Sequence, residues 1–456
     1  MSGTTSSPSA TVSGPPTPVQ LPGFIDGRRP GGFQLRTVLL CGLVMLLDGF
    51  DTQAINYMAP AITQDWGVSK GTMSTVFSAA LVGLMIGYLA IAPLSDKFGH
   101  KRLVMAGVAV FALSTLASVW AQNPDQLIIM RVITGLGLGA ATPSTIALTA
   151  EYSPKRLRAS LVLAIYCGFS LGFVVANYAA DWLIPAYGWR SVFVVGAVLP
   201  LALLLVLAWQ LPESISYLLR RGDIAKAYAL CRRIDRTLPQ TEKARVHTES
   251  AASSKRVKVT ELLSGRQLLG TVLLWVVFAI NLALFYGLQS WMPTILADRG
   301  YSHGTLATAA SMTTIGGIAV AFVVGPAMER LGAYGSLGTL YFVGCGFLVL
   351  MGFVLVSPVW MVLAAIFLVG CAVSGGQKSV IALAAAFYPE GVRSTGVGWA
   401  LGMGRAGGIV GPMIVGGMLA GGIDHEQLFM LLAVPIALCG LIVLYLGHRA
   451  KYSNAA

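Results

Sequence analysis

Apolar residues in this chain come in long runs, separated by short clusters of charge, proline and glycine. Twelve runs stand out, near residues 35–57, 72–94, 103–121, 126–150, 157–178, 190–209, 268–296, 305–328, 335–356, 359–387, 396–420 and 427–447. Each is long enough to cross a hydrocarbon core as a helix, which takes roughly 20 apolar residues. The pattern predicts an all-α membrane protein with twelve transmembrane helices. Two stretches fall outside it. Residues 1–34 are rich in Ser, Thr, Pro and Gly, lack the apolar core and cleavage site of a signal peptide, and read as a disordered tail. Residues 210–267 form a connector that opens LPESISYLLRRGDIAKAYALCRRI. Its apolar residues fall at helical spacing with basic residues between them, as in an amphipathic helix lying on the inner membrane face.

Composition agrees with a lipid environment. Of 456 residues, 55% are hydrophobic and 11% charged, whereas soluble domains carry about 25% charged residues. A formal charge of +12 would suit a nucleic-acid partner, but its placement is that of a topology signal, and no nucleic acid is expected. The amino tail, the even-numbered loops and the carboxyl tail hold 25 of the 31 Lys and Arg residues, whereas the odd-numbered loops hold only Lys70, Arg190 and Arg299. Positive charge concentrates in cytoplasmic loops, so both termini are placed in the cytoplasm. Five of the six cysteines lie in apolar runs with no C-x-x-C pair, and the five histidines fall in loops or at helix ends. Neither set forms a metal or haem constellation, so no cofactor is expected.

The chain repeats itself. SDKFGHKR after the second run recurs as MERLGAYG after the eighth, aligning Asp96 with Glu329. EYSPKRLRAS matches FYPEGVRSTG, aligning Tyr152 with Tyr388 and Arg158 with Arg393, and NYMAPAI matches SWMPTIL, aligning Met58 with Met292. The chain thus divides into a tail (1–34), an N-terminal six-helix half (35–209), the connector (210–267), a C-terminal six-helix half (268–447) and a short cytoplasmic tail (448–456). Six helices per half make the halves parallel, related by an axis along the membrane normal. Asp96, Lys97, Arg102, Glu151, Arg158, Glu213, Glu329, Arg330 and Arg393 occupy the cytoplasmic ends of the two halves. They suit ion pairs that close an inner gate and break when the halves rock. Solvated helix ends are the alternative for Lys97, Arg102 and Arg330.

Asp48 and Asp51 interrupt the first run. An acid at the centre of a membrane helix costs roughly 2.5 to 3.5 kcal/mol on insertion scales, so it persists where it faces a polar interior. The repeat sets Asp48 opposite Leu282 and Asp51 opposite Phe285, so the architecture does not itself demand these acids. Three residues apart, they share one helix face and one site. Burial and mutual repulsion disfavour two charges there, which suits a group that takes up a proton outside and releases it inside. A permanent ion pair with a neighbouring arginine is the alternative. Lys378 lies in the tenth run behind Gly375 and Gly376, and Arg405 in the eleventh among Gly402, Gly404, Gly407 and Gly408. An ammonium and a guanidinium in a polar cavity are natural partners for a carboxylate, or for the acids of a neighbouring helix. With Arg131 they give three cations against two acids, a surplus that an anionic cargo would neutralise.

The loop SDKFGHKR, the run RVITGLGLGAATPS and LPESISYLL, set in two six-helix halves, resemble the major facilitator superfamily over nearly the whole chain. Within it, DGFD (Asp48 to Asp51), EYSPKRLR and YPEGVRSTGVGWALGMGRAGGIVGP are similar to the aromatic acid:proton symporters, bacterial inner-membrane carriers of benzoate-type acids. The loop after the second run departs from the superfamily pattern, with Ala92 in place of a glycine and Lys97, Phe98, Gly99 and His100 after the acid. The resemblance implies the major facilitator fold and a monomeric symporter of a small aromatic carboxylate and a proton. It also implies a proton-coupling role for Arg131, for which a snorkelling anchor is the alternative reading. An aromatic ring would seek aromatic and amide neighbours, for which Phe50, Phe285, Tyr286, Gln289 and Trp399 are candidates. A polyol or organic-cation carrier of related architecture fits the cationic surplus less well. A membrane enzyme or receptor would need a nucleophile constellation, a metal cluster or a large folded loop, and none is visible.

Overall fold

Lipid offers no hydrogen bonds to a backbone, so each apolar run closes its own as a helix. A computed structural model describes residues 19–26, 30–235, 238, 246–247, 268–388 and 393–453. Among the described residues, twelve helices are long and apolar enough to cross a membrane. They are α1 (Gly32–Trp66), α2 (Lys70–Phe98), α3 (His100–Trp120), α4 (Pro124–Glu151), α5 (Lys155–Tyr187) and α6 (Arg190–Gln210) in the first half. The second half holds α7 (Leu268–Asp298), α8 (His303–Leu331), α9 (Ala333–Val354), α10 (Val359–Phe387), α11 (Arg393–Ala420) and α12 (His425–Ser453).

The packing repeats as the sequence does. α1 packs on α5 as α7 packs on α11, α2 on α4 as α8 on α10, and α3 on α6 as α9 on α12. Small residues allow these crossings. A Cβ on Gly83 or Gly135 would collide with the backbone of the partner helix across the α2–α4 contact, and Gly316 and Gly370 are hemmed in the same way between α8 and α10. The halves meet through α2 with α11, α5 with α8, and α1 with α7.

Three features differ from the sequence reading. The tail assigned to 1–34 contains a helix at Leu21–Asp26, whose Phe24 and Ile25 are buried, and α1 begins at Gly32. Those two side chains give the segment a small apolar surface to hide. At the other end, α12 runs to Ser453, beyond the point where the tail was set. The connector forms two helices, Ile215–Arg220 and Ile224–Ile234. The apolar stripe of the second, with Ala227, Tyr228 and Cys231, is buried against the first half, so protein covers the face expected to meet lipid. The rest of the connector, apart from Leu238 and Val246–His247, lies outside the described residues.

α2 is not uniform. It passes through a π turn at Gly87–Ile91 and a 3-10 turn at Ala92–Leu94 before its last helical turn. Such turns rotate the following side chains off the regular helical face and recur at functional sites.

Candidate functional site between the two halves

The two aspartates of α1 face different neighbours. Asp51 is gripped from both sides by Arg131, whose Nη1 donates to Oδ2 at 3.0 Å and whose Nη2 donates to Oδ1 at 3.1 Å. Arg131 is 0% exposed and Asp51 2%. Thr115 donates to Asp51 Oδ1 at 2.8 Å, and Nη2 of Arg131 also reaches the hydroxyls of Thr115 at 3.3 Å and Thr134 at 3.2 Å. The Phe193 ring lies beneath the guanidinium, 5.3 Å from its centroid. This is a closed, bidentate pair within the first half, so Arg131 does not snorkel.

Among the described residues, no cation lies on the Asp48 carboxylate. Thr142 of α4 donates to Oδ2 at 2.8 Å and Thr52 to Oδ1 at 3.4 Å, and the residue is 2% exposed. Arg405 of the second half lies within coulombic range of it, with no hydrogen bond between them among the described residues. Arg405 donates to the Tyr286 hydroxyl at 3.1 Å and to the Tyr88 hydroxyl at 3.4 Å, and lies over the Tyr88 ring at 5.1 Å. Tyr88 sits in the π turn of α2. Tyr166 of α5 shares the field of the same guanidinium. At 1.5 Å per residue, Arg405 lies about 18 Å into α11, and Lys378 about 5 Å nearer the face that carries the connector. Lys378 Nζ is buried with no hydrogen-bond partner. It shares coulombic range with Cys167, next in sequence to Tyr166.

The other expected ring neighbours divide. Phe285 packs between the halves, stacked on Phe173 at 6.4 Å and edge-on to Tyr286 at 5.1 Å. Gln289 donates to Gln53 at 3.0 Å, Gln53 to Asn177 at 2.9 Å and Asn177 to Ser311 at 3.2 Å, a buried amide chain that crosses between the halves. Phe50 packs inside the first half against Gly196. Trp399 stacks on Trp275 at 5.9 Å, about 9 Å along α11 from Arg405. These last two are not brought to the site.

Beyond the amides, on the face away from the connector, the halves are laced together. Tyr57 donates to the His303 carbonyl at 2.6 Å, and Ser78 to that of Ile409 at 2.6 Å. Lys70 pairs with Asp298 at 2.5 Å, and His425 lies 3.6 Å from the same carboxylate. Among the described residues, Arg405 to Tyr88 is the hydrogen bond between halves nearest the connector face. Among the described residues, these hydrogen bonds between the halves thus lie at the level of Arg405 or on the side away from the connector.

The described contacts of the gate candidates lie in the first half and the connector. Asp96, Glu151 and Arg158 line one cavity of about 380 Å³ with His100 and Arg220. Asp96 pairs with Arg220 at 3.0 Å, Glu151 accepts from the Ser216 backbone at 2.7 Å, and Glu213 accepts from the Lys101 backbone at 3.0 Å. Lys97 lies over the Phe98 ring at 5.4 Å, and Arg102 and Arg330 are exposed. The side chains of Glu329 and Arg393 lie outside the described residues. The described gate contacts therefore bind the first half to its connector.

Thr115, Thr134, Thr142, Tyr88, Tyr166, Gln53 and Asn177 were not singled out in the sequence. The polar Gln53 and Asn177 inside apolar runs were the available signal. A threonine or tyrosine there is common enough in membrane helices to carry none.

Comparison with known proteins gives the family. The Major Facilitator Superfamily pattern matches residues 41–355. The chain is 37% identical to the 4-hydroxybenzoate transporter PcaK of Pseudomonas aeruginosa, covering 93% of this chain and 95% of that protein. It is 36% identical to a gallate transporter of Pseudomonas putida, covering 96% and 97%. It is 29% identical to a benzoate transport protein of Acinetobacter baylyi, covering 94% and 93%. In fold it resembles the xylose transporter XylE of E. coli in its inward-open conformation, with a TM-score of 0.69, 17% identity and coverage of 90% and 95%. The chain belongs to the Major Facilitator Superfamily.

Proposed function

We propose that this protein is a monomeric, proton-coupled symporter that imports a small aromatic carboxylate of the benzoate or hydroxybenzoate type across the bacterial inner membrane. Both termini and the connector lie in the cytoplasm, a placement supported by the excess of Lys and Arg in the tails and even-numbered loops. The observation that carries the reading is the charge balance between the halves. Asp51 and Arg131 cancel each other at contact distance, Asp48 stands against Arg405, and the Lys378 ammonium is left without a partner. A buried, unpaired cation is costly, and a carboxylate between Lys378 and Arg405 relieves that cost. The names of the relatives, transporters of 4-hydroxybenzoate, gallate and benzoate, favour an aromatic acid as the cargo.

Coupling follows from the same geometry. While Asp48 is ionised it occupies the field of Arg405. A proton on Asp48 removes that competition, so proton and anion bind with positive cooperativity. Thr142 donates to the carboxylate and, by turning its hydroxyl, accepts from the protonated acid. Release of both toward the cytoplasm resets the site, and rocking of the halves exposes it on the opposite face. The Phe285 ring and the phenols of Tyr88, Tyr286 and Tyr166 supply the walls for an aromatic ring. Uptake of labelled 4-hydroxybenzoate and benzoate by cells expressing the protein tests the reading. Saturable accumulation that a protonophore abolishes supports it, and the absence of carrier-dependent uptake of either acid overturns it.

A further inference from the structure

A second cationic site lies away from the transport path, where α1 emerges at the connector face. A cavity of about 520 Å³ is lined by Gly32, Phe33 and Arg36 of α1 and by Ala229, Arg232 and Arg233 of the second connector helix. Its size is that of a small-ligand site. Three arginines line it, and among the described residues no carboxylate does. The guanidiniums of Arg36 and Arg233 both stand over the Phe33 ring, 5.6 and 5.7 Å from its centroid. Nε of Arg232 is buried and lacks a hydrogen-bond partner. Gly32 and Phe33, in the first turn of α1, line the same cavity, and first-turn N–H groups have no partner within their own helix. Like charges gathered at a helix N-terminus without an acid are stabilised by a bound anion, and arginine forks match phosphate oxygens.

The outer wall identifies the kind of anion. Leu35, Leu39 and Leu43 are 50%, 63% and 37% exposed and rise from Arg36 along one side of α1 at helical spacing. Leu39 and Asp48 are nine residues apart, which is about half a turn out of phase, so this side points away from the transport site. A charged pocket at the membrane boundary with an apolar strip running from it into the bilayer has the shape of a phospholipid. We propose that Arg36, Arg232 and Arg233 bind the phosphate of an anionic phospholipid in the leaflet at the connector face. Its acyl chains lie along Leu35, Leu39 and Leu43, and it ties the connector helix to α1. The cargo reading is not needed for this site.

The test uses the full-length protein, delipidated in detergent, with native mass spectrometry of added lipid and thermal stability as readouts. Phosphatidylglycerol is expected to be retained at least fivefold better than phosphatidylcholine with the same chains and to raise the melting temperature. Salt should weaken that retention. R36Q/R232Q/R233Q should abolish the preference, and R36K/R232K/R233K, which keeps the charge, should retain most of it. If the glutamine triple does not fold, the single variants R36Q and R233Q should each lower retention at least twofold. Equal retention of the two lipids, or undiminished preference in every glutamine variant that folds, overturns the proposal. Inorganic phosphate tests the other source of the same chemistry. If millimolar phosphate stabilises the protein as fully as phosphatidylglycerol and displaces it, the site serves a soluble phosphate and the lipid assignment is wrong.

Discussion

Arg131 holds both carboxylate oxygens of Asp51 at 3.0 and 3.1 Å, whereas Asp48, one turn earlier on the same helix, receives only hydroxyls at 2.8 and 3.4 Å. The two acids therefore differ in what removing their charge would do. Removing one partner of a buried pair costs roughly 3 to 5 kcal/mol because the other charge is stranded. Asp51→Asn is expected to lose stability on that scale, and the double substitution Asp51→Leu with Arg131→Met to recover most of it. Thermal unfolding of the purified variants measures both. A stable Asp51→Asn protein would mean that the pair is not closed in the membrane.

Asp48→Asn should fold normally, since Thr142 can donate to an amide oxygen as it does to the carboxylate. Accumulation against a gradient should be lost, while exchange of labelled for unlabelled substrate across the membrane, which needs no net proton movement, should persist. Vesicle uptake and counterflow assays separate the two activities. Wild-type accumulation in this variant would remove Asp48 from the coupling mechanism.

Lys378→Met is expected to weaken binding of the transported acid at least tenfold, equivalent to about 1.4 kcal/mol. Thermal stability should be unchanged or higher, because the substitution deletes an unpaired buried charge. Binding measured by calorimetry on the purified protein decides. Unchanged affinity would show that Lys378 does not contact the cargo.

Tyr286→Phe removes the shorter of the two phenol contacts to Arg405, a hydrogen bond to a charged group worth roughly 1.5 to 3 kcal/mol. KM should rise about tenfold or more with little change in expression, and Tyr88→Phe should act more weakly because its contact is 3.4 Å long. Equal and negligible effects would argue against Arg405 as an anion ligand.

Hydropathy and charge placement made the twelve spans and the repeat legible, because lipid leaves the backbone one economical solution and the halves repeat it. Arg131, Lys378 and Arg405 were legible as well, since a cation inside an apolar run is rare. The division between Asp48 and Asp51 was not. A three-residue spacing places both on one face, but the turn of about 60° between them brings Asp51 to Thr115 of α3 and Arg131 of α4, and Asp48 to Thr142 of α4 within coulombic range of Arg405. Tyr88 was hidden for a related reason. The π turn that sets its direction has no signature in the run GYLAI. Phe50 and Trp399 were chosen by ring type, and packing against Gly196 and Trp275 absorbed them instead.

Proton movement coupled to the anion is the central claim. If Asp48 must be loaded outside before the carrier reorients, uptake should rise as external pH falls from about 8 toward 6. Passive entry of the neutral acid rises over the same range, so a membrane without the carrier is the control. The direct measurement uses proteoliposomes with no imposed gradient and a pH indicator inside. Adding an aromatic carboxylate such as 4-hydroxybenzoate outside is predicted to acidify the interior in step with anion entry, saturably, in wild type and not in Asp48→Asn. Saturable anion entry with no accompanying acidification would contradict symport and leave a uniporter or an exchanger.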